Sequence, residues 1–115
     1  MSAGGAGAAV DPPEEVRVVA GTLASGQAAH LDGGPHGVCL VRIGDEYHAL
    51  ADRCSHANVA LSEGEVDEDD VAIECWKHGS TFSLADGRPQ CLPATRPVPV
   101  YPVRVEGDEI VVTVK

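Results

Sequence analysis

The stretches CSH at 54–56 and CWKHGS at 75–80 gather four metal-binding side chains, Cys54, His56, Cys75 and His78, into two tight clusters. Eighteen residues separate His56 from Cys75, so a single centre using all four requires two distant loops to converge. That requirement constrains the fold more than any other feature of the chain.

The flanking sequence supplies strands. VCLVRI at 38–43 reads as one, turns at Gly44-Asp45-Glu46 and returns as YHAL at 47–50. PVRV at 102–105 and EIVVTV at 109–114 repeat the device around Gly107-Asp108. VRVVAGTL at 16–23 reads as a further strand, and VAIEC at 71–75 pairs with STFSL at 80–84, with Lys77-His78-Gly79 as their turn and Asp86-Gly87 as the next. No run keeps a 3.6-residue period for long, so helix is limited to a short turn in ANVALSEG at 57–64. Prolines at 89, 93, 97, 99 and 102 confine that segment to extended or edge conformations. The pattern predicts an all-β domain of small antiparallel sheets, with each ligand pair where a strand gives way to a loop.

Length allows one small domain in 115 residues. Residues 1–13, MSAGGAGAAVDPP, have no cation and no long apolar run, so they read as a flexible tail rather than a signal peptide, leaving 14–115 as the domain. No stretch has the length and apolarity of a membrane helix, which points to the cytoplasm, where thiols stay reduced. A net charge of −10 argues against a nucleic-acid surface and favours basic docking surfaces on any large partner. Glu63, Glu65, Asp67, Glu68, Asp69, Asp70 and Glu74 form an acidic run that taken alone reads as a solvated loop, although its position between the ligand pairs favours a functional role. Cys39 reads as a buried core residue and Cys91 as a free thiol. His30, His36 and His48 are isolated and read as surface or packed histidines, and Trp76 either contacts a partner or covers its loop.

Two thiolates and two imidazoles suit structural zinc, and a zinc-binding protein-interaction module is one reading of the set. Zinc fingers, however, pair Cys with Cys and His with His, whereas each cluster here holds one of each. Such mixed loops can give two thiolates to one iron and two imidazoles to another.

The pattern C-x-H then C-x-x-H, followed by Gly79-Ser80, resembles the Rieske 2Fe-2S motif, and the likeness runs from about Val16 to the C-terminus. The resemblance implies stacked small antiparallel sheets with a cluster-binding subdomain made of the two loops, and one 2Fe-2S cluster per chain. Cys54 and Cys75 would bind the inner iron, and His56 and His78 the outer one. With neutral histidines the oxidised centre has no net charge, so an added electron costs less than in a four-thiolate centre. The gap between the motifs is slightly longer than in similar ferredoxins, which places a small insertion in the acidic stretch.

Departures from high-potential members bear on the reduction potential. Val59 and Lys77 stand where those members carry a disulfide. Ser80 is retained as a hydrogen-bond donor near the cluster, but Phe82 replaces a tyrosine, and Pro93 resembles the third loop that packs over the centre. These departures predict a potential below about 0 mV, in the lower part of the Rieske range.

The resemblance implies a soluble one-electron carrier rather than an enzyme. It would pass electrons from a flavoprotein reductase to the oxygenase of a ring-hydroxylating dioxygenase, or serve iron-sulfur cluster assembly.

Overall fold

The computed structural model describes residues 14–19, 21, 23–55, 58–77, 79–91 and 94–114. Their only helical element is a short 3-10 turn, Leu61–Glu63, within the segment expected to hold one.

The strands are β1 (Glu14–Val19), β2 (Gln27–Leu31), β3 (Val38–Ile43), β4 (Glu46–Ala51), β5 (Glu65–Asp67), β6 (Ala72–Glu74), β7 (Thr81–Ser83), β8 (Val100–Tyr101), β9 (Val103–Glu106) and β10 (Glu109–Val114). They form three antiparallel sheets, ordered β1-β10-β9, β2-β3-β4-β8 and β5-β6-β7.

Strand β3 explains how the layers stack. Val38, Cys39, Leu40 and Val41 are all buried, so alternate side chains must enter separate cores. Val38 and Leu40 join Ala49, Ile110, Val112 and Val114 against the β1-β10-β9 sheet. Cys39 and Val41 join Leu50, Leu61, Ile73, Phe82 and Val98 against the β5-β6-β7 sheet. A strand covered on both faces reads as an unbroken apolar run, as VCLVRI does.

The expected strand over 16–23 is displaced: β1 begins at Glu14 and ends at Val19, ahead of Gly21 at φ +92°. A left-handed backbone there ends the extended run. The acidic run is also more ordered than a solvated loop. It forms β5, a turn and β6, with Val66 tucked between exposed Glu65 and Asp67. Asp67 closes the turn by accepting hydrogen bonds from the Asp69 and Asp70 amides. Gly64 leads into this hairpin where only a hydrogen fits: a Cβ would lie 1.6 Å from the Glu74 carbonyl oxygen.

Candidate metal centre

Both cysteine motifs begin where a strand of the third or second sheet ends. After β4 the chain runs through Ala51, Asp52 and Arg53 to Cys54, and after β6 it reaches Cys75 directly. Each loop is closed in the same way. The Cys54 amide donates to the Val59 carbonyl at 3.0 Å, and the Cys75 amide donates to the Ser80 carbonyl at 2.6 Å. Gly79 at φ +77° lets the second loop turn back, and its amide donates to the Cys75 carbonyl at 3.0 Å.

Cys54 and Cys75 are 3% and 0% exposed and belong to the same core cluster, with Phe82, Leu61, Ala94 and Val98. Two distant loops therefore deliver their thiols to one apolar region, as the motif spacing demands. His56, His78 and Pro93 lie outside the described residues.

Ser80 is fully buried, and its hydroxyl oxygen accepts from the Ala94 amide at 3.1 Å, so the hydroxyl hydrogen still has a bond to donate. That contact ties the proline-rich segment to the second loop. Phe82 is fully buried and carries no hydroxyl, Val59 packs against the core, and Lys77 is exposed. Trp76 is 54% exposed beside Cys75, so it does little to cover its loop. Cys39 is buried on β3; burial pushes its thiol well above the usual range, and the charge of Asp52 adds to the effect.

Cys91 is the free thiol expected, exposed beside the second loop, with its Sγ 3.4 Å from Thr81 Oγ1 and 3.5 Å from the Gly79 carbonyl oxygen. One feature escapes sequence reasoning. Asp52, two residues before Cys54, is buried, and its carboxylate accepts from the Ser62 amide at 2.7 Å and the Ser62 hydroxyl at 2.6 Å. It thereby fastens the start of the first loop to the 3-10 turn.

A family model described as the Rieske [2Fe-2S] domain matches residues 14–102. The 3-phenylpropionate/cinnamic acid dioxygenase ferredoxin subunit of Escherichia coli (strain K12) is 46% identical over 85 residues, covering 74% of this chain and 78% of that protein. Among solved structures, the ferredoxin of carbazole 1,9a-dioxygenase from Nocardioides aromaticivorans IC177 superposes with a TM-score of 0.84 at 34% identity, over 91% of this chain and all of that one. A chain from the complex of reduced oxygenase and oxidized ferredoxin in carbazole 1,9a-dioxygenase gives a TM-score of 0.79 at 33% identity, over 86% of this chain and 92% of that one.

Proposed function

This chain belongs to the Rieske [2Fe-2S] domain family, and on that premise we propose that Cys54, His56, Cys75 and His78 hold its cluster, within a domain spanning 14–115. The chain is an electron-transfer ferredoxin of the dioxygenase type, not a catalyst in its own right. The observation that carries the ligand assignment is the pairing of Cys54 and Cys75. Both are buried in one apolar cluster, at the starts of two loops closed by the same amide-to-carbonyl bond.

The surroundings fit the cofactor. Thiolates in so apolar a place require a cation to compensate their charge, and two iron ions provide it. When bound, the cluster supplies a one-electron couple that histidine ligation raises to about −150 to +300 mV, from about −400 mV for plant-type ferredoxins.

The protein's own residues then set where in that range the potential falls. Ser80, whose carbonyl accepts from the Cys75 amide, has a hydroxyl hydrogen to donate, and given to a cluster or ligand sulfur it favours the more negative reduced state, while Phe82 offers none. Each carboxylate about 10 Å away through water opposes reduction by roughly 0.4 kcal/mol, or about 17 mV. The β5–β6 hairpin carries several. These effects place the potential below about 0 mV.

The donor is a flavoprotein reductase and the acceptor the oxygenase component of a dioxygenase, with the exchange taking place in the cytoplasm. Among the described residues no helix is long and apolar enough to cross a membrane. The acidic hairpin steers the chain toward basic docking surfaces on those partners, so association slows as salt rises. Trp76 supplies an apolar contact next to the second loop.

Metal and acid-labile sulfide analysis tests the cofactor and ligand assignment. The purified protein should be coloured and contain equal iron and sulfide, and His56→Ala or Cys75→Ala should each abolish the visible spectrum. A colourless protein holding zinc, or a holo spectrum surviving either change, contradicts it.

A further inference from the structure

The cations of this acidic chain are not evenly neutralised. Arg17 and Arg104 face Glu15, Glu106 and Glu109, and Arg88 lies near Asp86. Arg42 is taken up by the Leu23 and Gly44 carbonyls and the Tyr47 ring. Among the described residues, Arg53, Lys77 and Arg96 have no carboxylate within ion-pair distance, although the chain holds 18 acidic side chains. All three lie close to the cluster-binding loops in sequence or in space. Arg53 precedes Cys54, Lys77 precedes His78, and Arg96 is joined to the first loop because the Ser55 hydroxyl donates to its carbonyl at 2.6 Å.

Arg53 and Arg96 share a cavity of about 370 Å³ with His36, Cys54, Ser55 and Pro97. Both arginines and His36 are exposed, and Arg53 Nη1 lies 3.4 Å from His36 Nδ1. Two exposed arginines lining one concave surface, with no carboxylate of their own at ion-pair distance, suit it to carboxylates from outside.

We infer that this cavity receives an acidic surface patch of the redox partner, so that electron transfer takes place across a cationic rim on the first-loop side. The inference rests on the ligand assignment above, which makes Cys54 part of the electron-transfer centre. It also refines the role of the net charge. The β5–β6 hairpin presents Glu65, Asp67, Glu68, Asp69 and Glu74 around a second cavity, which shares no lining residue with the first. A partner carrying carboxylates opposite Arg53 and Arg96, and cations opposite the hairpin, fits in one rotational setting. Like charges penalise the others.

Small redox probes of opposite charge test the rim without requiring the natural partner. The reduced holo-protein is oxidised at low ionic strength by ferricyanide and, separately, by a tris-chelate cobalt(III) cation. The wild type is compared with Arg53→Gln/Arg96→Gln and with Arg17→Gln/Arg104→Gln, two pairs that change net charge equally. The first pair should slow ferricyanide about tenfold and speed the cationic probe, while the second changes either rate by less than about twofold. Arg53→Glu/Arg96→Glu should enlarge the first effect.

Equal effects from the two neutral pairs overturn the inference. So does a cavity that binds inorganic phosphate through Arg53 and Arg96 while the ferricyanide rate ignores both residues. A protein without iron and sulfide would instead defeat the ligand assignment, so the two failures are distinguishable.

Discussion

His30 Nδ1 on β2 lies 2.5 Å from Asp52 Oδ2, the same carboxylate that accepts both hydrogen bonds from Ser62. One buried acid thus joins the second sheet, the approach to Cys54 and the 3-10 turn. Asp52→Ala would leave the Ser62 amide and hydroxyl without their acceptor and should destabilise the protein by about 3 kcal/mol. His30→Ala removes a half-exposed partner and should cost about 1 kcal/mol. Midpoints of cluster bleaching in urea, compared across the two variants, measure the difference.

The same contact gives a pH dependence. The hydrogen bond to Asp52 raises the His30 pKa, its charge and that of Asp32 reinforce the effect, and desolvation opposes it. With the folded pKa above the unfolded value of about 6.5, the stabilisation is fully present below that pH. It is lost as pH rises through the folded pKa. NMR titration of the His30 ring should show the raised value in the wild type and a return toward the ordinary one in Asp52→Asn.

Gly64→Ala should be among the most damaging single-methyl additions in the chain. The new Cβ would lie 1.6 Å from the Glu74 carbonyl, one residue before Cys75, and backbone on both sides must move. A loss of about 3 kcal/mol is expected, with faster cluster release. Gly44→Ala and Gly107→Ala, where the added Cβ meets nothing within 4 Å, should show only the smaller cost of their left-handed turns.

Ser80→Ala removes the acceptor of the Ala94 amide and the nearby hydroxyl donor. If the donor favours the reduced state by about 1 kcal/mol, the midpoint potential should fall by about 40 mV. Protein-film voltammetry reads this directly. Ser80→Thr, which keeps the hydroxyl, should restore most of the shift, whereas a merely structural role for Ser80 would leave the potential unchanged in both.

The features legible in the sequence were those with local signals. VCLVRI and EIVVTV coincide with β3 and β10, and the Gly44-Asp45 and Gly107-Asp108 turns fall between the expected strands. Strand β2 carries no sequence signal because QAAHL has no β-branched residue and is held by its pairing with β3. In β5 the alternation is present around Val66, but the charges of Glu65 and Asp67 disguise it. Asp52 gave no signal at all, since His30 and Ser62 are its neighbours only after folding. The two cysteines of the candidate centre stand out in the sequence by their short spacing from His56 and His78, but their shared core depends on tertiary packing.

Everything proposed for this chain turns on two histidines and two cysteines holding one 2Fe-2S cluster. Pulsed EPR of the dithionite-reduced protein tests it most directly. Strong coupling of the electron spin to two imidazole nitrogens is expected, with one coupling lost in His56→Cys and the other in His78→Cys. A reduced spectrum without nitrogen coupling, or one unchanged by either substitution, would contradict it.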